Sequence, residues 1–335
     1  MTGPGSREKC SLILLRRPDM SMVQLVSEPR DQAAVRGVGA VVVLYRPDLG
    51  LLKRLITSVV GQVEVVYVID NTPGGRRDDY GVLLDASGVS YHPLNDNLGI
   101  ATAHNRGIDL ARHDGLSHVL LMDQDSELEP ETVSRLLQHE ARLIEAGNEV
   151  AAVGPVFVDD KTGDPAPAIV SGLFGPRKTA IDLAAMEPVR STYIIASGSL
   201  IRLSVLERIG GMQDNLFIDF VDIEWGERAA LAGYGCYLVP SVTMKHSIGD
   251  EFVTLLGRRV LLHSDFRNYF IVRNAVFLAL WSSLSVSTRL QLVFKVPYYL
   301  GCYSWYSAKR ASALRLLLGA VADGVRKRMG KGRFQ

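Results

Sequence analysis

From Gly37 to Met122, short apolar runs alternate with amphipathic stretches, and this alternation narrows the folds open to the chain more than any other feature. Ala40–Tyr45 is rich in valine and reads as a buried strand. Asp48–Val60 puts Leu51, Leu52, Leu55, Ile56, Val59 and Val60 on one side of a helix. Val63–Ile69 reads as a second strand, Val89–His92 as a short third and Val119–Met122 as a fourth, with a helix from Gly99 towards Arg112 before the last. Strands joined by helices imply a mostly parallel α/β sheet with right-handed crossovers. Ligands of such sheets collect at the carboxyl ends of the strands.

Past Val150–Val158 the texture changes. Residues 159–190 are rich in Pro, Gly and Asp and read as a long excursion. Tyr193–Ala196 is expected as a strand and Asp222–Ala232 as a helix stopped by Gly233; from Arg258 onward the pattern is helical without a strand signal. Three regions follow: a poorly ordered extension over 1–36, an α/β domain over 37–257 and a helical region over 258–335.

Composition sets outer limits. The 335 residues are 47% hydrophobic and 22% charged, an ordinary globular balance, and the net charge of +1 gives no reason to expect nucleic acid as a partner. Cys10, Cys236 and Cys302 match no metal or disulfide spacing, which suits a reducing compartment. Leu12–Leu15, followed by Arg16 and Arg17, is too short for a secretory signal. Ala275–Leu300 is the nearest approach to a membrane span. Ser282, Ser283, Arg289, Gln291 and Lys295 interrupt it, so it reads as two helices, buried or lying on a membrane. Leu314, Leu316, Leu317, Leu318 and Val321 stand beside Arg326, Lys327, Arg328, Lys331 and Arg333. That combination suits an anionic membrane surface, or a packed helix with a solvated tail.

Several motifs could carry chemistry. Leu120-Leu121-Met122 runs straight into Asp123-Gln124-Asp125, so a buried strand delivers two carboxylates to its edge. Two hard oxygen ligands there suit Mg²⁺ or Mn²⁺ shared with a diphosphate. The alternative is loop solvation, with Glu129 and Glu131 around Pro130 capping the next helix. Asp70-Asn71 either forms a turn before Pro73-Gly74-Gly75 or reads a nucleotide at the sheet edge. Asn97-Leu98-Gly99, followed by Asn105-Arg106-Gly107, is either a backbone cradle for an anion at a helix start or an Asn cap with Gly107 as a packing residue. Neither the phosphate-loop motif nor the dinucleotide fingerprint is present. Asp222 and Glu224 open a helix just after Asp219; they either complement its dipole or supply a general base. His246 ends a strand-like run and reads as structural unless a metal recruits it.

In order, the stretches VVVLYRP, VYVIDNTP, NDNLGIATAHNRGI, LLMDQDS, ASGSLI, LFIDFVDIEWGER and KHSIG run from Val41 to Gly249. Together they resemble the bacterial family 2 glycosyltransferases, and within them the rhamnosyltransferases. The resemblance implies a GT-A fold, a dTDP-L-rhamnose donor, a divalent cation (Mg²⁺ or Mn²⁺) and a saccharide or lipid-linked acceptor. With the cysteine pattern and the apolar, basic C-terminal third, the expected location is the cytoplasm, peripheral on the inner face of the plasma membrane. By the same resemblance Tyr45, Asp70, Asn71, Asn97, Gly99 and Asp123 bind the donor, and Asp123, Asp125 and His246 hold the metal. Asp222 falls at the position of the catalytic base, with Val221 where many members carry a second acid. Ser199, Asp219, Glu224 and Arg273 fall around the acceptor or diphosphate. Two other readings compete: a haloacid-dehalogenase-like phosphatase, which also carries D-x-D but on its first strand, and a non-catalytic nucleotide-sugar-binding scaffold.

Overall fold

The computed structural model of the chain describes residues 35–159, 163–172, 177–246, 251–255 and 258–334; at Val35, Arg36, His246 and the described residues between 251 and 262 it gives the backbone alone. Nearly all of the extension expected over 1–36, and Cys10 with it, lies outside the described residues.

Strand β1 (Val35–Leu44) is valine-rich because both of its faces are covered. Val41 and Val43 point into one core layer, and Ala40, Val42 and Leu44 into the other. Helix α1 (Leu49–Val60) starts where the Asp48 carboxylate accepts from Leu51 N at 2.9 Å, and it buries Leu52, Leu55, Ile56 and Val59 in the second layer. Strands β2 (Val63–Asp70) and β3 (Val89–Pro93) follow, then helix α2 (Ile100–His113), strand β4 (His118–Asp123), helix α3 (Thr132–Glu145) and strand β5 (Val150–Asp159). Helix α2 covers the first layer and α3 joins α1 on the second, giving three layers around one sheet.

The excursion over 159–190 contains short strands: β6 (Ala168–Val170), β7 (Arg177–Thr179) and β8 (Val189–Ser191). Beyond it come β9 (Ser199–Arg202), α4 (Leu203–Ile209), α5 (Val221–Leu231) and β10 (Gly235–His246). The main sheet runs β3-β2-β1-β4-β9-β5-β10-β8. Pairings among β1, β2, β3 and β4, and between β5 and β10, are parallel; β9 runs antiparallel between β4 and β5, and β8 antiparallel on the outer edge.

Two expectations are corrected. Tyr193–Ala196 is not a strand: Ser191 Oγ donates back to Tyr193 O at 2.7 Å, closing a turn, and Gly226 of α5 packs directly against Tyr193, where a Cβ would not fit. Its apolar character reflects packing on α5. The region after Arg258 is not wholly helical, since β11 (Glu251–Leu255) and β12 (Arg258–Leu262) pair antiparallel, with Val253 opposite Val260.

Three helices complete the fold: α6 (Asp265–Trp281), α7 (Val286–Tyr306) and α8 (Arg310–Val325). Helix α6 is buried almost all round. Ala275, Phe277 and Leu278 join the core of the sheet's first layer, while Tyr269, Phe270 and Val272 form a second cluster with Phe217, Tyr303 and Leu317. The basic tail is folded back rather than free. Arg333 pairs with buried Asp323 at 2.6 Å, Lys331 pairs with Asp96, and Lys327 lies 4.1 Å from the Trp281 ring centroid.

Candidate active site

Parallel register brings the motif residues to one edge. Val43 aligns with Asp123 and Leu44 with Asp70, so β1, β2 and β4 end together. The antiparallel β9 returns the direction for β5 and β10, so the backbone of His246 ends on this same edge, opposite Asp159. The His246 side chain, and its expected metal role, lie outside what is described.

Tyr45 stands at the end of β1 with 41% of its surface exposed. The middle residue of D-x-D fixes it: Gln124 Oε1 accepts from Tyr45 N at 2.7 Å, and Gln124 Nε2 donates to Tyr45 O at 3.3 Å. Asp70 is fully buried and engaged. Its Oδ2 accepts from Tyr80 at 2.7 Å and Tyr91 at 2.6 Å, and its Oδ1 from Thr72 N at 2.9 Å. It therefore shapes the loop after β2 and offers no exposed oxygen. Asn71 continues this scaffold: its amide donates to Asn97 Oδ1 at 2.9 Å and its oxygen accepts from Leu98 N at 2.7 Å.

The start of α2 is closed to an anion at its first amide. Ile100 N donates to Phe217 O at 2.7 Å. Gly99, at φ +89°, lets that loop approach; a Cβ there would lie 2.5 Å from the same carbonyl. The packing reading of Gly107 is the one realised, since its Cα sits directly against Val41.

Asp123 is half-buried and Asp125 exposed. Burial, the neighbouring charge of Asp125 and that of Asp222 push the Asp123 carboxyl up to about 7, with Arg267 pulling the other way. The loop is held from below, where Ser197 Oγ accepts from Asp123 N at 3.0 Å and bonds Ser126 Oγ at 2.7 Å. Ser199 does not reach the edge: it is buried, with its hydroxyl donated to Ala196 O at 2.7 Å. Glu131 precedes α3 at φ +64° without a side-chain cap bond, so the capping alternative is not realised there.

The segment before α5 is unusual. Phe217, Asp219 and Phe220 all have positive φ, at 67°, 63° and 65°. Such non-glycine backbone persists only where the surroundings hold it. Arg273 and Asn274 do the holding. Asn274 Nδ2 lies 3.0 Å from Leu216 O, 2.8 Å from Ile218 O and 3.1 Å from Asp219 O. Arg273 donates to Leu216 O at 2.8 Å and Gly330 O at 2.5 Å. Both side chains are 0% exposed. Arg273 therefore does not face the acceptor or diphosphate; its guanidinium is used up on backbone carbonyls. Glu224 is likewise internal, bound through both oxygens to Arg228 at 2.9 Å, while Arg228 also takes the carbonyls of Ile209 and Gly211.

What remains at the edge is Asp219, Asp222 and Arg267. Arg267, in the first turn of α6, donates to Asp219 Oδ1 at 3.0 Å. Burial pushes the Asp222 carboxyl up to about 6, and the Asp219 charge adds to this; the backbone N–H groups, including Ile223 N at 2.8 Å, and Arg267 oppose it. The result is a group of carboxylates beside one guanidinium, in which Asp123 is raised to about 7 and Asp222 to about 6. Among the described residues no three His, Cys, Asp or Glu side chains already enclose a metal position.

A family model described as glycosyl transferase family 2 matches residues 40–210. The chain is 33% identical over 299 residues to dTDP-rhamnosyl transferase RfbF of Shigella flexneri, spanning 88% of this chain and 97% of that protein. It is 29% identical over 239 residues to N-acetylglucosaminyl-diphospho-decaprenol L-rhamnosyltransferase of Mycobacterium tuberculosis, spanning 62% and 74%. Among solved structures, GalNAc-T7 with UDP, GalNAc and Mn²⁺ superposes with a TM-score of 0.53 at 13% identity, over 82% of this chain and 57% of that one. S. aureus TarS 1–349 superposes with a TM-score of 0.52 at 15% identity, over 88% and 82%. At these identities the two structures speak for the fold alone.

Proposed function

The chain belongs to glycosyl transferase family 2, and from that premise we propose that it is an inverting enzyme moving L-rhamnose from dTDP-L-rhamnose to a hydroxyl of a saccharide or lipid-linked acceptor. The observation that carries the chemistry is the convergence of Asp123, Asp222 and Arg267 at one sheet edge, where Asp123 feels the charges of Asp222 and Arg267 and Asp222 feels that of Arg267. The near full-length likeness to a protein named for dTDP-rhamnosyl transfer supports the choice of donor. The phosphatase alternative loses its ground, because β1 is followed by Tyr45-Arg46 and the D-x-D begins at the end of β4.

The exposed Tyr45 ring is the surface for the nucleotide, and Asp70, Asn71, Asn97 and Gly99 set the loops around it. Asp123 and Asp125 fit a hard divalent cation, since burial and then the neighbouring Asp125 charge already favour a proton on Asp123. They would hold Mg²⁺ or Mn²⁺, with His246, whose backbone ends on the same edge, as the further ligand the resemblance implies, and the cation would neutralise charge on the leaving diphosphate. Asp222 takes the proton of the acceptor hydroxyl as that oxygen bonds to the anomeric carbon. The bond from the anomeric carbon to the diphosphate breaks in the same step, and its electron pair leaves with dTDP. A base raised to about 6 is mostly ionised at neutral pH yet still strong enough to accept a proton. Arg267 faces the charge that grows on the leaving group. A lipid-linked acceptor would put the enzyme in the cytoplasm, peripheral on the inner face of the plasma membrane. No helix among the described residues is long and apolar enough to cross a membrane.

The test is a panel of nucleotide sugars with Mg²⁺ or Mn²⁺, reading released nucleotide. Acceptor-dependent release of dTDP from dTDP-L-rhamnose is expected. Preference for another sugar would overturn the donor, and inorganic phosphate as the direct product would overturn the reaction class.

A further inference from the structure

The helix α7 carries an apolar face that the fold leaves uncovered. Val286, Leu290, Val293, Phe294, Tyr298 and Trp305 recur at helical spacing along one side, over about 30 Å at 1.5 Å per residue. Phe294 is 77% exposed, Trp305 63% and Leu290 53%. The opposite side is satisfied: Leu292, Cys302 and Tyr303 are buried against the protein. Pro297 and Gly301 lie within the exposed stripe and no charged residue does. A continuous exposed stripe of this size on a soluble fold marks an interaction surface.

Charge identifies what covers it. Between Asp265 and Asp323 the chain contains no acidic residue, while Arg289, Lys295, Lys309, Arg310 and Arg315 fall on α7, α8 and the link between them. At the end of the stripe Arg310 lies 4.6 Å from the Trp305 ring centroid, joining a cation to an interfacial aromatic. A second copy meeting this face through a two-fold axis would bring cations against cations. A bilayer with anionic headgroups offers acyl chains to the stripe and phosphates to its rim.

We propose that α7 lies in the plane of an anionic membrane surface with this stripe inserted at the headgroup boundary. Of the two places the sequence offers, the helices within Ala275–Leu300 and the stretch of α8 with the basic tail, this chooses the first. In the second, Leu317 is buried, and Lys331 and Arg333 are paired within the protein. The placement also serves the site. Ser307, just past the end of α7, donates to Asp265 at 3.1 Å, and two residues on, Arg267 grips Asp219. The carboxylate group thus lies near α7, whose Tyr299 and Tyr303 feel the Asp219 charge. The inference extends the lipid-linked-acceptor reading, but vesicle binding needs no turnover, so each can fail without the other.

The full chain is floated with phosphatidylcholine vesicles, with and without phosphatidylglycerol, beside a combined Leu290→Glu, Phe294→Glu, Trp305→Glu variant. Wild type is expected to float with the anionic vesicles, and the variant to bind at least about tenfold less. Its circular dichroism and its turnover on a water-soluble acceptor should be unchanged. Equal flotation of the two, or no flotation of wild type, overturns the proposal. So does light scattering that finds a wild-type dimer split by the variant without membrane binding. On the unmodified chain, brominated lipids should quench a share of tryptophan fluorescence that Trp305→Phe removes; quenching untouched by Trp305→Phe would overturn the insertion of that end.

Discussion

Asn274→Ala should uncouple the catalytic loop from its support. In the native protein one amide nitrogen serves three carbonyls of the segment 216–219, at 2.8 to 3.1 Å, and is itself 0% exposed. Leu216 O keeps Arg273 and Ile218 N as donors, so the loss falls on the part-buried carbonyls of Ile218 and Asp219. An unsatisfied buried group costs about 1–3 kcal/mol. These carbonyls are only part-buried and can recover water, and the left-handed backbone at Phe217, Asp219 and Phe220 relaxes once unheld, so the net destabilisation is at most about 1–3 kcal/mol. The effect on function should exceed that on stability. The loop carries Asp219 and leads directly into Asp222, and a misplacement of about 1 Å in reacting geometry costs roughly 10²-fold in rate. The assay pairs denaturant unfolding with kcat measured well below the melting transition, and adds hydrogen exchange over residues 216–222. Arg273→Lys is the companion variant, because a lysine cannot replace the forked bonds to Leu216 O and Gly330 O. Wild-type exchange in this segment with unchanged kcat in Asn274→Ala would refute the bracket.

Three further outcomes are expected. Turnover should fall as pH drops through about 6, because Asp222 acts only when ionised. Since that pKa is raised above its unfolded value, the same group favours the folded state at low pH and loses that contribution as pH rises through 6; a flat profile between pH 5 and 7 would remove Asp222 from the rate. Calorimetry of dTDP binding should show affinity about tenfold or more weaker in EDTA than with Mg²⁺, and equal affinity would remove the metal from Asp123 and Asp125. His104 is 1% exposed, neither ring nitrogen has a hydrogen-bond partner, and burial lowers its pKa to about 4. Stability should therefore fall as pH drops from 6.5 towards 4, by about 3 kcal/mol from this group; urea unfolding at pH 7 and 4.5 should show a smaller difference in His104→Leu, and an unchanged difference would refute it.

Much of the sheet could be read from valine runs, since a strand covered on both faces must be apolar throughout. The D-x-D could be placed for the same reason: the run before it sets its address at a strand's end. Roles inside the site were harder to read. Arg273 and Asn274 look like ligand-binding residues in one dimension, yet α6 turns them inward onto carbonyls more than fifty residues away in sequence. Arg267 left only the faint signal of a basic residue in a helix's first turn, because its partner Asp219 lies 48 positions earlier. In ASGSLI the motif pointed to the right turn, but the turn directs Ser197 to the Asp123 loop and folds Ser199 back on itself. Gln124 went unnoticed because its neighbours carry the charge, although it clamps Tyr45 through both amide atoms. The covered and uncovered faces of α6 and α7 could not be told apart, since both helices are apolar and only packing separates them.

Asp222→Asn, assayed for turnover of dTDP-L-rhamnose and for donor affinity, tests the central claim most directly. The substitution keeps the shape of the side chain and removes its basicity, and a positioned base contributes about 10²–10⁴-fold. The proton is transferred only in the transition state, so kcat should fall by that factor while the dissociation constant for dTDP stays near that of wild type. Near-wild-type turnover in Asp222→Asn, with the loss appearing in Asp219→Asn instead, would contradict the account.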